Sequence, residues 1–374
     1  MIPELHPTTF SSNFDSEPLG YLADTISCYL TEDLSGNADL VLTYPSSGIW
    51  AKELKSGNVV IIKKPARRIN SVATSASDEN MNIQQVNDAY FISRCEVKDD
   101  MMTVTCHHIS YWLTGAINDG YDASNATNKK LNNVMYRLWT QANPSAYSGY
   151  LPRTMSYFVL PYLQNNTGEF GSTATKSLRS FLIDTWHSVQ TVFNVEVVFR
   201  DTHAWVMTHL GKDDGVEVRL GKNISTRQYV KDEDGTFNAI VPYWVQNDTK
   251  IVANPPLVQP TTPITPIKAV AKDLTDIFQV QPTQAELETY ARALLDDNKP
   301  WEPLETTHIE IRPEWNGRKY DLALGDTVSV YWSDIGAARE KMRVVRVTYD
   351  VLEEEYEKIE LGDLQTGYVV TESW

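Results

Sequence analysis

The sequence predicts an α+β chain, mainly β and divided into several domains. Three observations predict it. Its 374 residues correspond to two to four domains at roughly 150 residues each. Short runs rich in Val, Ile, Tyr and Phe, punctuated by turn residues, fill residues 1–111 and return near the C-terminus, which is the pattern of strands in antiparallel sheets. Between them, apolar residues recur at the three-to-four spacing of helices.

Strands are predicted at Ala38 to Leu42, Val59 to Lys63, Tyr90 to Val97 and Met102 to His107. Ser56-Gly57-Asn58 separates two of them, and the Lys98 to Met101 link, carrying Asp99-Asp100, reads as a tight hairpin turn. Leu131, Val134, Met135, Leu138 and Trp139 mark a helix. Leu178, Phe181, Leu182, Trp186, Val189 and Phe193 mark a second, with Thr175 as its expected cap. A polar, Tyr-rich stretch from Asn143 to Thr173 lies between them. Strands resume at Val195 to Phe199, Ala204 to His209, Val216 to Leu220 and Thr236 to Val245. Asp214-Gly215 and Asp234-Gly235 sit between these apolar runs as hairpin signals. Pro255, Pro256, Pro260, Pro263 and Pro266 exclude helix and read as an extended connector between lobes. Thr283 and Glu286 form a capping box ahead of a helix with Leu287, Tyr290, Ala291, Leu294 and Leu295 on its buried stripe. A β lobe follows: Ile309 to Arg312, the Asn316-Gly317 turn, Thr327 to Trp332, Met342 to Tyr349 and Tyr356 to Leu361. No internal repeat is evident.

Composition narrows the function. Asp and Glu total 49 against 33 Lys and Arg, for a formal charge of -16. A surface so acidic repels phosphates, which argues against stable nucleic-acid binding. The densest basic patch, Lys63, Lys64, Arg67 and Arg68, is short, is interrupted by Pro65 and reads as a solvated strand end. Cys28, Cys95 and Cys106 cannot build a disulfide framework, which points to a reducing compartment. Met1 to Phe10 has neither a basic start nor an apolar run, so synthesis in a cytoplasm is expected and the sequons at Asn125, Asn165, Asn223 and Asn247 carry no weight. No segment approaches the roughly 18 apolar residues of a membrane span.

Catalytic signatures are missing. There is no phosphate-binding Gly-x4-Gly-Lys loop, no Gly-x-Ser-x-Gly elbow, no His-Glu-x-x-His and no Cys-x-x-Cys. His107 and His108 are adjacent in a predicted strand and point to opposite faces. His203 and His209 share a predicted strand face but stand about 20 Å apart. These histidines are expected to pair with backbone or neighbours rather than bind a metal. Asp119, Asp122, Ser124 and Asn125 depart from the calcium-loop pattern and read as a polar turn. Glu353-Glu354-Glu355 reads as a solvated turn at a hairpin end. No catalytic, cofactor-binding or metal-binding residue is assigned, no cofactor is implied, and the chain is expected not to be an enzyme. Its 19 Tyr and 10 Trp, against 10 Phe, tilt it toward assembly or carbohydrate contact.

Three segments together resemble one family. Residues 90–113, from Tyr-Phe-Ile-Ser-Arg-Cys-Glu-Val-Lys to Cys-His-His-Ile-Ser-Tyr-Trp-Leu, resemble the strand–turn–strand ending in His-Ile-Ser-Tyr of siphophage tail-associated hub proteins. Residues 220–243, from Leu-Gly-Lys-Asn-Ile to Ile-Val-Pro-Tyr, resemble that family's second signature. Residues 324–363, with Leu-Gly-Asp-Thr-Val-Ser-Val, Arg343-Val344-Val345, Tyr349-Asp350 and Ile359-Glu360-Leu361-Gly362-Asp363, resemble its C-terminal β lobe. The family is also labelled prophage tail endopeptidase, and the length is similar to the short hubs of lactococcal phages. The resemblance implies a fold like the baseplate hub of contractile phage tails. Four domains are expected: a first β tube domain at 1–111, a helical insertion at 112–195, a second β tube domain at 196–270, and a helix plus C-terminal β lobe at 271–374. The two β tube domains are expected to be alike, so that three chains present six similar positions. The resemblance further implies a homotrimer at the virion's tail tip, closing the tail tube and opening for DNA passage. It would dock on the hexameric ring of the distal tail protein and meet the tape measure and receptor-binding proteins. Longer members carry a peptidoglycan hydrolase or fibre, which this chain, ending soon after Gly362-Asp363, is expected to lack. A tail-associated peptidoglycan hydrolase and a carbohydrate-binding host-recognition protein are the alternatives.

Overall fold

The computed structural model describes residues 1–7, 17–65, 85–121, 127–142, 155–168, 170, 172–183, 188–200, 202–219, 222–232, 236–246, 249–275, 277–278, 281–298, 304–312, 314–315, 318–319, 322–331 and 340–363. It is mainly β, with several sheets and few helices. No helix among the described residues is long and apolar enough to cross a membrane.

The N-terminal lobe holds β1 (Glu4–His6), β2 (Gly20–Tyr21), β3 (Ser27–Asp33), β4 (Ala38–Pro45), β5 (Val59–Pro65), β6 (Gln85–Lys98) and β7 (Met101–His108). They pair in the order β3–β4–β7–β6–β5–β1–β2. Strict alternation drives this: Cys28, Leu30, Leu40, Leu42, Val104 and Cys106 are fully buried in one core, while their chain neighbours face outward. The β6–β7 hairpin closes at Lys98↔Met101, with Asp99 at φ 53. An aspartate tolerates that left-handed conformation better than most residues.

An α/β insertion follows. It contains a 3-10 turn at Ile109–Thr114, β8 (Ile117–Tyr121), α1 (Leu131–Gln141), β9 (Ser156–Val159), β10 (Ser172–Ser177), α2 (Leu178–Ile183), α3 (Val189–Phe193), β11 (Glu196–Arg200) and β12 (His203–Met207). α1 buries Leu131, Val134, Met135 and Leu138, the stripe its spacing predicts. The single helix predicted from Leu178 to Phe193 is instead two. Thr175 lies within β10 and its hydroxyl bonds Asp119; Ser177 Oγ accepts the Ser180 amide at 3.1 Å instead. Ser188 starts α3 with a capping box closed by Thr191. The strand predicted at Ala204 to His209 is β12, which begins at His203 and ends at Met207. Asp214-Gly215 makes no hairpin either: β12 pairs with β11 and β9, whereas β13 (Val216–Arg219) pairs parallel to a strand more than a hundred residues away.

The rest of the chain builds a second curled sheet with a lobe inserted into it. β14 (Ile224–Asp232) leaves toward β15 (Ala239–Gln246), β16 (Thr249–Val252), β17 (Ala269–Asp273) and α4 (Gln284–Asn298). β18 (Leu304–Ile311) returns antiparallel to β14. A small hairpin, β19 (Glu314–Trp315) and β20 (Arg318–Lys319), then precedes β21 (Thr327–Tyr331), β22 (Glu340–Asp350) and β23 (Glu355–Asp363). Residues 316 and 317, the predicted turn, lie outside the described residues, as do 234 and 235. The second sheet runs β13–β21–β22–β23–β18–β14. Its two ends meet at one turn, where Asn223 Oδ1 accepts the Arg219 amide at 2.7 Å. β22 also pairs with β3, which fuses both lobes into one thirteen-stranded sheet.

The strands group differently from the expected division. Residues 196–270 form no sheet of their own: β11 and β12 join β9, β13 and β14 join the second sheet, and β15 to β17 form a third. The partner of the first β lobe is therefore 216–232 with 304–363, rather than 196–270. The boundary expected at 270/271 falls inside the inserted lobe, because α4 packs Leu287, Ala291 and Leu295 against Ile240, Trp244 and Val258. The proline-rich segment belongs to that lobe and is not a free connector. Val258 is buried, Asn238 Nδ2 donates to the Pro266 carbonyl at 2.7 Å, and Arg292 donates to the Gln259 carbonyl at 3.0 Å. Thr283 and Glu286 make the predicted capping box, at 2.7 and 3.2 Å.

Candidate functional site

Two polar arrangements stand out from the cores. The first is a buried node between the insertion and the second sheet. Glu196 on β11 meets Arg343 on β22 in a two-pronged pair, at 2.7 and 3.1 Å. The Leu210 amide donates to Glu196 at 2.6 Å, and His209 Nδ1 stands 3.6 Å away. Arg343 also donates to the carbonyls of Leu210 and Gly325, at 2.9 and 3.2 Å. Burial alone would raise the Glu196 carboxyl, but the bonds from His209, Arg343 and Leu210 and the Arg343 charge outweigh it and hold the carboxyl at about 2. Beside it, Asp326 accepts the Lys212 and Ala323 amides, both at 2.8 Å, while burial pushes its carboxyl up.

Two more arginines tie the insertion to the first lobe. Arg200 reaches Glu32 at 2.5 Å. Arg179 donates to Ser110 Oγ and the Gly36 carbonyl, at 3.0 and 2.8 Å, and lies over the Tyr111 ring at 4.2 Å. The β3–β4 turn that receives it is pre-shaped: Asp33 accepts the Ser35 and Asn37 amides, and Gly36 takes φ 85.

The second arrangement is the outward face of the fused sheet. Across β18, β23, β22 and β3, the register aligns Glu310, Glu360, Arg346 and Asp33 in one row. Lys358 bridges Glu360 at 2.7 Å and Glu310 at 3.5 Å, and these bonds raise its ammonium. Arg346 stands 3.6 Å from Asp33 and 3.7 Å from Glu360. The next row aligns Lys358, Thr348, Thr31, Asp39 and His107.

The remaining histidines and acids fall in ordinary environments. His107 pairs with Asp39 at 2.7 Å and stacks on Tyr111. His108 faces the other way, buried, with Nδ1 accepting the Ser110 amide at 3.2 Å and Nε2 3.8 Å from Asp88. Asp88, His108 and Ser110 occur together as in a nucleophilic triad, but the Ser110 hydroxyl is held by Arg179 and all three are buried. His203 and His209 do not share a strand, since His209 turns back to Glu196. Among the described residues no three His, Cys, Asp or Glu side chains could hold a metal. Asp119 accepts the Thr175 hydroxyl at 2.6 Å; residues 122, 124 and 125 lie outside the described residues. So do 67 and 68, while Lys63 pairs with Glu4 at 2.6 Å. Glu353 and Glu354 sit in the β22–β23 turn, with Glu355 opening β23. Sequence reasoning missed the Glu196–Arg343 node and the Glu310–Lys358–Glu360 ladder, because only the fold brings Arg343 to Glu196 and Glu310 to Lys358.

No family model matches the sequence, and no curated protein matches it. Solved structures do. A prophage tail protein, gp18 from Listeria monocytogenes, aligns over 98% of this chain and 95% of its own at TM-score 0.51 and 10% identity. The 43 kDa tail protein of prophage MuSo2 from Shewanella oneidensis aligns over 97% and 98% at TM-score 0.53 and 10% identity. A tail protein from Neisseria meningitidis aligns over 96% and 95% at TM-score 0.51 and 10% identity. The chain thus shares its fold, end to end, with prophage tail proteins.

Proposed function

We propose that this protein is a structural component of a phage tail, the hub that closes the distal end of the tail tube and opens for DNA passage. The observation that carries the proposal is the fold shared over at least 95% of both chains with three tail proteins, two of them from prophages. In this reading the hub is a homotrimer in the virion, made in the bacterial host's cytoplasm, on the hexameric ring of the distal tail protein, with the tape measure and receptor-binding proteins as neighbours. The fused sheet supports the stoichiometry: each chain supplies two curled β lobes joined through β3 and β22, so three chains offer six lobes to a six-fold ring. Closed cyclic assemblies are the common way to cap such a ring. Light scattering of the purified protein is expected to give three copies, either alone or with the ring partner added. A stable dimer or tetramer overturns the hub.

The hub acts without chemistry of its own. Zymography on host cell walls, with a known lysin as positive control, is expected to show no band. A lytic band that a single substitution abolished would replace the structural reading with the hydrolase one.

A further inference from the structure

We propose that His108 is an acid-operated catch: a proton on its ring releases the turn through which the insertion leaves the first β lobe. The catch belongs to the fold and is independent of the hub reading.

Its parts are the run His108-Ile109-Ser110-Tyr111. His108 ends β7, and the 3-10 turn at Ile109–Thr114 follows at once as the first element of the insertion. The His108 ring is buried, and its Nδ1 caps that turn by accepting the Ser110 amide at 3.2 Å. A backbone amide can only donate, so Nδ1 carries no proton, and the proton of the neutral ring is on Nε2. Ser110 is in turn a post for contacts across the seam. Its hydroxyl accepts from Arg179 on α2, and the same guanidinium reaches the Gly36 carbonyl in the β3–β4 turn. Tyr111, beneath Arg179, donates to Asn37 Oδ1 in that turn at 2.9 Å. A single amide–imidazole bond thus fixes the residue on which these ties converge.

A second proton on the ring must go to Nδ1, where it would meet the Ser110 N–H donor to donor. The cap is therefore lost whenever the ring is charged. The imidazolium has a receiver: Asp88 Oδ1, also buried, is 3.8 Å from Nε2. Among the described residues, the other groups at this end of the lobe are few. Tyr90, next to Asp88 on β6, meets the His108 ring edge-on at 5.5 Å. β3 and β11 bring the Glu32–Arg200 pair, whose charges act on Tyr90, as do those of Asp88 and Asp39. Arg200 also feels Asp88. β5 sets only Val60 and Ile62 opposite Tyr90 and Asp88, and β4 turns Ala38 and Leu40 inward. Glu32 and Arg200 offset each other, which leaves the Asp88 carboxylate to take up the charged ring.

The sign follows from competition for one lone pair. The released turn binds one proton more than the capped turn, so its share grows as pH falls through the ordinary histidine range, near 6.5. The limit is about tenfold per pH unit.

Amide hydrogen exchange of the full chain, corrected for the intrinsic pH dependence of exchange, tests the catch. The population open at Ile109–Thr114 is expected to rise about tenfold between pH 6.5 and pH 5.5, while α4, remote in the third sheet's lobe, does not change. In His108→Asn the side-chain oxygen can accept the Ser110 amide at every pH. That variant is expected to match wild-type protection at neutral pH and to lose the acid-induced rise. No rise in wild type, or the same rise in a folded His108→Asn, overturns the catch. Nitrogen NMR of histidine-labelled wild type needs no variant. The ring in contact with the Ser110 amide proton is expected to have a bare Nδ1 at neutral pH, protonated on acidification with the midpoint of the exchange. A proton on Nδ1 at neutral pH, or a ring that charges without releasing the turn, refutes the mechanism.

Discussion

Arg343→Ala is expected to destabilise the folded chain by about 3–5 kcal/mol, the usual result of removing one partner from a buried ion pair. The loss is large because of what is left behind. Glu196 sits at 9% side-chain exposure, so its carboxylate would keep only the Leu210 amide and His209. Thermal or urea unfolding reads the change. The double variant Glu196→Gln with Arg343→Met is expected to cost less than Arg343→Ala alone, since no uncompensated charge remains. If the single variant matched wild type, the node would not join the insertion to the second sheet.

The same pair predicts an acid limb. The Glu196 carboxyl is held at about 2, below its ordinary 4.5. Unfolding therefore takes up a proton at intermediate pH, and the pair's stabilisation is complete above about pH 4.5 and lost as pH falls toward 2. At neutral pH the difference amounts to ~3 kcal/mol, of the same order as the cost of Arg343→Ala. Glu196→Gln is expected to flatten stability against pH between those values. An undiminished acid limb in that variant would assign the limb to other carboxylates.

How much of this was legible depended on range. Strands with one buried face announce themselves, because alternation is a property of neighbours along the chain: the readings at Ala38, Val59, Tyr90 and Met102 all fall within strands. β3 was missed, although Cys28, Leu30 and Glu32 alternate with Tyr29 and Thr31, because its polar residues dilute the apolar signal. The helix pair α2 and α3 shows the opposite failure. Apolar spacing ran on from Leu178 to Phe193 and outvoted Ser188, whose capping box begins a new helix. Lobe boundaries were beyond reach. Val216 pairs with Val328 and Ile224 with Ile311, and no local pattern says which distant strand a strand will join. The proline-rich segment misled for a related reason: prolines exclude helix, but they do not say whether the chain is free or packed. The polar node followed the same rule, since Glu196 and Arg343 are 147 residues apart.

Gly211→Ala and Gly325→Ala are expected to abolish soluble, folded protein, whereas Gly215→Ala is expected to be tolerated. All three glycines have positive φ, at 92, 88 and 72, so a side chain at any of them carries the left-handed penalty of roughly 1–2 kcal/mol. What separates them is space. A Cβ on Gly211 would lie 2.2 Å from the Gly325 carbonyl carbon, and one on Gly325 would lie 2.5 Å from the Leu210 carbonyl oxygen. Both obstacles are backbone, which cannot swing aside as a side-chain tip can. Gly215 has no atom within 4 Å of its Cβ position, which limits its cost to the conformational term. The close approach is also functional to the node, since the Leu210 and Gly325 carbonyls that it brings together both accept from Arg343. Forcing the two segments apart would therefore release the guanidinium that holds Glu196. Soluble yield and melting temperature of the three variants decide the matter. A soluble Gly211→Ala protein melting within a few degrees of wild type would mean that these backbones can separate without loss of the seam.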